Sequence, residues 1–338
     1  MNYKHIQPSN NIEKASHSIY NRFITSVFHH CCKGDAQTVK KQLYSKKTAV
    51  FSDIHSNYYA FKACFEDAIR SGVDLFVFLG DYVSDLADAR KVMDLVYEIR
   101  AAYPTVCLRG NREGYMLDHA NKKIQFDAGS RSGSLLYTSQ QLRDADITFF
   151  KNLPIYDQIE INAIPFEIAH AAKTDDRFYF DGTDDATEAI LSQMAAPYML
   201  AGHSHQQFLV RRMGRTILNP GSIGIPRGYG HLSQYAILDF TDGSVKIDLR
   251  QISYDIKSMI HRQFESGLTE IAPHWAISVL YDTLTGKAYA MELLNRVSTA
   301  ANGDEAVMHD EVLWHQTAAN MGMKFSEEEI LAQFAPLK

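Results

Sequence analysis

The 338-residue chain is short of cysteine and has no long apolar run, and each shortage removes a class of protein. Its four cysteines, Cys31, Cys32, Cys64 and Cys107, form no CxxC pair. That excludes a zinc ribbon and a thioredoxin-type redox motif. Cys64 and Cys107 stand in apolar-periodic segments and are expected to be buried thiols. No uncharged stretch approaches the length of a membrane span, and residues 1–11 are polar, without the apolar core of a signal peptide. A cytoplasmic protein in a reducing compartment is expected. An excess of basic residues is also missing. The net charge of −6 argues against a general nucleic-acid binder. There is no internal repeat and no low-complexity tract. What remains, 46% hydrophobic and 22% charged, is ordinary globular composition. The length suits one large domain with additions, or two domains.

Apolar residues at i, i+3, i+4 and i+7 predict an amphipathic helix over residues 12–32, and Gly34 and Asp35 introduce a second one through Tyr44. His29, His30, Cys31 and Cys32 sit on the first helix. Neighbours on a helix point about 100° apart, so these four cannot converge on one ion. From residue 48 the pattern alternates between strands and helices. A strand ending at Phe51 runs into Asp53-Ile54-His55. A helix over 58–71 follows, and then the apolar strand Leu75–Leu79, which ends in Gly80-Asp81. A helix over 87–102 and the strand Val106–Leu108 lead to Gly110-Asn111-Arg112-Glu113. This βαβαβ order implies a largely parallel sheet with right-handed crossovers, which brings Asp53, Asp81 and Asn111 to one carboxyl edge.

Beyond residue 120, a capping-box pattern at Thr138–Gln141 predicts the start of a helix that stops at Leu153-Pro154. Strands over 155–161 and 164–169 follow, the second delivering His170, and a helix to Ala195 comes next. The strand Tyr198–Ala201 then delivers Gly202-His203-Ser204-His205. Residues 207–218 and 235–250 alternate as strands do, with a turn-rich loop over 219–227 between them. After Ile252 the pattern is helical, over 254–266, 273–300 and 305–322, with a capping box at Ser326 and Glu329. Three parts are expected: a helical extension over 1–46, a central domain over 47–252 and a helical appendage over 253–338.

Seven ligand-type side chains thus stand at strand exits: Asp53, His55, Asp81, Asn111, His170, His203 and His205. Carboxylate, imidazole and one amide suit borderline first-row metals such as Mn, Fe, Co, Ni or Zn better than Mg or Ca alone.

The ordered blocks Asp53-x-His55, Gly80-Asp81, Gly110-Asn111-Arg112-Glu113, His170 and Gly202-His203-Ser204-His205 resemble those of the calcineurin-like metallophosphoesterases. The loop Asn219-Pro220-Gly221-Ser222 resembles that of their small bacterial phosphodiesterase branch. The likeness implies an α/β fold, a two-sheet β-sandwich flanked by helices around the βαβαβ core, with helical additions at both ends. It also implies two divalent metal ions, Mn, Fe, Ni or Zn. Asp53, His55 and His205 would hold one, Asn111, His170 and His203 the other, and Asp81 would bridge them. Two metals about 3.5–4 Å apart can clamp a phosphoryl group while a bridging hydroxide attacks phosphorus. A small phosphate ester or nucleotide is the implied substrate.

One position departs from the family pattern. The residue after Asn111, usually His, is Arg112. A guanidinium does not give up its proton near neutral pH, but it grips phosphate well. Charge stabilisation is therefore expected there rather than general-acid catalysis, and good leaving groups should be cleaved better than alkyl monoesters. An alternative role for Arg112 is a salt bridge to Glu113 or Asp85. Asn57, Tyr115, His119, Arg227 and His231 are further candidates for the substrate cleft. Ser222 has no evident base partner and is not expected to be a nucleophile. The rival reading is a non-catalytic scaffold, as in a eukaryotic relative in vacuolar sorting that lacks several ligands. Homo-oligomerisation through the helical ends is compatible with either.

Overall fold

The computed structural model describes residues 41–302 and 304–335. The helix expected over 12–32, with its His and Cys run, and residues 35–40 of the second helix lie outside the described residues. Lys41–Leu43, assigned above to the end of that second helix, is instead a short strand, β1. It pairs in parallel with a strand at Tyr156–Ile161, Lys41 facing Ile159. Three residues with little strand character are held extended by a sheet edge, which overrides local propensity.

The central pattern is realised as expected. Strands β2 (Lys47–Phe51), β3 (Leu75–Phe78) and β4 (Thr105–Cys107) are parallel neighbours. Helices α1 (Tyr58–Arg70) and α2 (Ala89–Ala102) cross between them. The unbroken apolar reading of β2 and β3 follows from burial on both faces. Val50, Val77 and Leu79 point into a core shared with the second sheet. Ala49, Phe51, Phe76 and Phe78 point toward Phe61 and Cys64 of α1 and Val92 and Val96 of α2. Cys64 is buried, as expected, and Cys107 is half-buried.

The next stretch departs from expectation. Residues 111–120 form helix α3 (Asn111–Ala120), which starts directly on the Asn111 block. The helix expected from Thr138 is two helices, α4 (Gly133–Gln141) and α5 (Asp144–Lys151). Thr138 is a buried interior residue of α4, and the Ser139 hydroxyl donates to the Leu136 carbonyl, so neither begins a helix. The break falls at Arg143, where the Asp146 carboxylate accepts the Arg143 amide at 2.7 Å and caps α5.

The second sheet is built from β5 (Tyr156–Ile161), β6 (Ile164–Ala169), β7 (Tyr198–Leu200), β8 (Gln207–Arg212) and β9 (Arg215–Pro220). Helix α6 (Asp185–Gln193) precedes β7. The sheet order is β1-β5-β6-β7-β9-β8. Strands β10 (Ser233–Asp239) and β11 (Lys246–Ile252) extend the first sheet, in the order β11-β10-β2-β3-β4. Both additions are antiparallel, so this sheet is mixed. Helices α1 and α2 cover its outer face, and α6 covers the outer face of the second sheet. The architecture is the expected two-sheet sandwich flanked by helices.

Helices α7 (Ile256–Glu265), α8 (Leu268–Ile271), α9 (Pro273–Thr285), α10 (Tyr289–Ala301), α11 (Glu305–Met308), α12 (Glu311–Asn320) and α13 (Glu327–Gln333) form a helical layer. The segment expected as one helix over 273–300 breaks at Gly286, whose φ of 70° closes α9. The segment over 305–322 breaks at Asp310, which caps α12. Ser326 caps α13 as expected, accepting from the Glu329 amide. The layer packs around Trp314, Leu280, Leu293 and Val297, and its core includes Leu86 and Ile225 from the sandwich loops. The described residues form one unit.

Candidate metal centre

All seven strand-exit side chains meet at the carboxyl edge. The turns that carry them are sharp. Asp53, His55, Asp81, His203 and His205 all have φ between 48° and 67°, a left-handed region that is costly for such residues. Backbone bonds between loops hold them there: Asp53 N–H to the Gly80 carbonyl at 3.1 Å, His55 N–H to Asp81 at 3.0 Å and Gly202 N–H to His170 at 2.7 Å. Asn219 donates to the Gly202 carbonyl at 2.8 Å, and the Ser222 hydroxyl donates to the Asp53 carbonyl at 2.7 Å. The turn-rich loop is therefore a brace, and Ser222 is committed to it.

Three imidazoles present a bare Nε2 to the centre. The Nδ1–H of His55 donates to Asp85 at 3.2 Å, that of His170 to the Leu79 carbonyl at 2.9 Å and that of His205 to the Ile225 carbonyl at 2.8 Å. A proton fixed on Nδ1 leaves a lone pair on Nε2. Yet the Nε2 atoms of His55 and His205 lie 3.0 Å apart, and both face Asp53 Oδ1, at 3.9 and 3.4 Å. That oxygen is buried with no hydrogen-bond donor, while its twin Oδ2 accepts from the Ser52 hydroxyl and the His203 amide. Lone pairs and an orphaned carboxylate oxygen aimed at one point call for a cation. Asp53, His55 and His205 form one such ligand group, and Asp53, Asp81 and His170 form a second. Asp81 Oδ2 lies 3.6 Å from His55 Nε2 and 3.5 Å from His170 Nε2, between the two. Asn111 Oδ1 is 3.2 Å from His170 Nε2 and 3.1 Å from His203 Nδ1.

Charge gives the same answer. Asp53, Asp81, Asp85 and Glu113 are all buried here. Burial and the neighbouring Asp53 push the Asp81 carboxyl up to about 8, and burial with the Asp81 charge lifts Glu113 to about 7. Burial would also raise Asp53, but His205, His170 and His55 outweigh it and hold its carboxyl well below the usual range. The same desolvation lowers His55 to about 4 and His203 to about 3, so both are neutral, as ligands must be.

Gly110 shows how tightly the pieces fit. A Cβ there would stand 2.1 Å from Asp81 Oδ1 and 2.7 Å from the His170 ring. Arg112 follows directly. Its amide donates to Asp81 Oδ1 at 2.8 Å, and its guanidinium lies 3.2 Å from Asp85. The salt bridge named as an alternative role thus forms with Asp85. Glu113 instead accepts the amides of Gly110, Asp81 and Tyr82 and pins the loop.

The remaining candidates divide. Arg227 reaches the rim: its amide donates to the His205 carbonyl at 3.1 Å, and its guanidinium pairs with Asp282 at 3.2 Å. His231 lies in the same loop and is half-buried. Tyr115 carries the guanidinium of Arg177 over its ring at 4.7 Å, and that of Arg112 at 5.9 Å. Asn57 does not face the centre. It is buried, caps α1 by accepting the Ala60 amide and donates to the Gly224 carbonyl. His119 stacks on Phe126 at 4.5 Å, with Nδ1 on the Ile124 carbonyl. Sequence reasoning missed Asp85 and Glu113 as organisers, although both lie within four residues of a ligand. It also missed Trp275, whose indole N–H donates to Asp85 at 2.9 Å.

A family model described as the calcineurin-like phosphoesterase superfamily domain matches residues 47–243. An uncharacterized protein of Methanocaldococcus jannaschii is 25% identical over 239 residues, covering 66% of this chain and 93% of its own length. A metallophosphoesterase structure from Sphaerobacter thermophilus aligns with a TM-score of 0.59 at 21% identity, over 72% of this chain and all of that one. A hypothetical protein from Pyrococcus horikoshii aligns with a TM-score of 0.61 at 18% identity, over 72% and 99%. The family match ends before α7, so helices α7–α13 lie outside it.

Proposed function

Because the chain belongs to the calcineurin-like phosphoesterase superfamily, we propose that it is a dinuclear metal-dependent hydrolase of small phosphate esters, phosphodiesters or nucleotides. The observation that carries this reading is the pair of facing Nε2 atoms of His55 and His205 around the orphaned Asp53 Oδ1. Asp53, His55 and His205 would hold one metal, Asn111, His170 and His203 the other, with Asp81 between them. Imidazole, carboxylate and amide donors favour Mn, Fe, Ni or Zn. Bound there, the metals supply Lewis acidity and bring the pKa of a water toward neutrality.

The protein's own part is positioning and charge. Buried carboxylates and left-handed turns fix the ligands before substrate arrives. Arg112 binds phosphoryl oxygens. Burial would lower its pKa, but the Asp85 and Asp81 charges outweigh that and raise it, so it keeps its proton. It therefore stabilises charge and does not protonate the leaving oxygen. Esters with good leaving groups are the preferred class. Arg227, on the opposite flank beside His205, is a second phosphate contact. The scaffold reading is disfavoured by the filled and convergent ligand set. Among the described residues no helix is long and apolar enough to cross a membrane.

The test is metal content together with hydrolysis of nitrophenyl phosphodiester, nitrophenyl monoester and an alkyl monoester, with and without added Mn. Asp81→Asn is the control. Two metals per chain, hydrolysis in the order of leaving-group quality and loss of activity in the variant are expected. No bound metal and no turnover under any metal would overturn the proposal.

A further inference from the structure

Helix α9 lies outside the family match, yet it touches both flanks of the candidate centre. Trp275 and Asp282 are seven residues apart on it, two helical turns, and so share a face. The Trp275 indole N–H donates to Asp85 Oδ1 at 2.9 Å. The other oxygen, Asp85 Oδ2, receives His55 Nδ1 at 3.2 Å, the Ser84 hydroxyl at 2.9 Å and the Arg112 guanidinium at 3.2 Å. Asp85 is thus the junction where one metal-ligand candidate and one arginine are aimed together, and Trp275 holds its free end. Two turns on, Asp282 Oδ2 pairs with Arg227 at 3.2 Å, while Oδ1 accepts the Ala290 amide at 3.0 Å from the first turn of α10. Asp282 is only 2% exposed, and its rotamer is fixed from both sides. The Arg227 loop is clasped by the same helix end, with the Gly228 amide donating to the Gly286 carbonyl at 3.0 Å. Contact there is close: a Cβ on Gly286 would meet the Gly230 amide nitrogen at 2.9 Å.

We propose that α9 is an integral part of the catalytic site. Trp275, acting through Asp85, is the positioning residue for His55 and Arg112, and Asp282 is the positioning residue for Arg227. The proposal rests on the phosphoesterase reading and adds a division of labour to it. The Trp275 arm sets metal affinity, because a hydrogen-bonded carboxylate behind a ligating imidazole orients the ring and raises its basicity. The Asp282 arm sets substrate binding, because Asp282 pairs with the Arg227 guanidinium, while the Arg227 amide on the His205 carbonyl keeps that residue at the rim of the site. The charge of an arginine held between a buried carboxylate and a substrate phosphate depends on that carboxylate for its place.

The experiment uses the full chain, stripped of metal and titrated with MnCl2 by calorimetry, followed by steady-state kinetics on nitrophenyl phosphodiester. Trp275→Phe keeps an aromatic ring, though a smaller one, and removes the donor. It is expected to weaken Mn binding about tenfold, with activity returning at saturating Mn. Asp282→Asn keeps the shape and removes the charge. It is expected to leave Mn affinity unchanged and to raise KM about fivefold at nearly constant kcat, the mark of lost ground-state binding. The two arms have separate readouts, so one variant's failure to fold leaves the other decisive. Wild-type Mn affinity and wild-type KM in both variants would overturn the proposal. So would a drop in the melting temperature of the metal-free variants that accounts for all the lost activity. A wild-type chain that neither takes up Mn nor cleaves the diester would instead bring down the phosphoesterase reading beneath it.

Discussion

The carboxyl edge of the sandwich and the helical layer α7–α13 are made by opposite rules. At the edge, Asp53, His55, Ser56, Asp81, Ser84, Asp85, His203 and His205 all adopt positive φ; among the described residues of the helical layer only Asn302, a helix C-cap, does so outside glycine. The edge buries carboxylates and imidazoles. The layer buries Trp314, Leu280, Leu293 and Val297 and opens α7, α11, α12 and α13 with Asp255, Asp304, Asp310 and Ser326, each accepting a backbone amide. The edge spends stability on geometry, while the layer largely follows local propensity, with the buried Asp282 and His274 of α9 as its exceptions. Strain and buried charge survive where surrounding structure over-determines them, and here the layer is part of that surrounding structure.

Four measurements would break or sharpen this contrast. Gly110→Ala should have the largest effect on the edge. Its new methyl displaces Asp81 and the His170 ring, so diester hydrolysis should fall at least ~100-fold, as misplacements of about 1 Å do. Urea unfolding of the same variant without metal should still show a cooperative transition. Trp314→Ala should do the reverse. The side chain is fully buried, with its indole N–H on the Met308 carbonyl. Its loss should cost about 3–5 kcal/mol in urea unfolding, with Mn affinity of the folded protein unchanged. A Trp314 variant that loses metal but not stability would erase the distinction.

The third concerns pH. In the metal-free protein, Asp81 and Glu113 have pKa values raised to about 8 and about 7, so the folded state retains protons that the unfolded chain has released. Stability therefore falls as pH rises from their unfolded values toward those folded values. His55 and His203 are depressed to about 4 and about 3 and act in the opposite sense, but only up to their unfolded value of 6.5. The net fall should accordingly appear between about pH 6.5 and 8, in melting temperatures of the stripped protein. Saturating Mn should abolish it, because cations then hold the carboxylates ionised. A flat profile without metal would mean that the edge is less strained by charge than its burial indicates. The smallest effect belongs to Asp310→Ala, which removes the cap of α12. It should cost about 1 kcal/mol and leave catalysis unchanged.

Much of the edge was legible in the sequence, because strand exits carry their own punctuation. An apolar run of strand length followed by Gly-Asp, Asp-x-His or Gly-His-x-His names both the element and its cargo, as β2, β3 and β7 demonstrate. The helical layer was legible as helices but not in its breaks. Gly286 and Asp310 stop helices by local conformations that apolar periodicity does not register. Thr138 to Gln141 had the residues of a capping box and sat inside a helix, since a cap requires chain ends that only packing supplies. Asn57 and His119 had the chemistry of substrate contacts and are used up by a helix cap and a ring stack.

The chain by itself determined the order and type of the central elements and which candidate ligands stand at their ends, since period, length and residue chemistry are local properties. Tertiary structure alone decided which lone pairs face one another, because Nδ1 partners such as Asp85 and the Leu79 and Ile225 carbonyls come from other turns of the chain. It also made β1 a strand, by offering a sheet edge, and it brought Trp275 to Asp85 across 190 residues and Asp282 to Arg227 across 55. Contacts of that span leave no periodic trace in a sequence. They exist only once the sandwich and the helical layer are packed together.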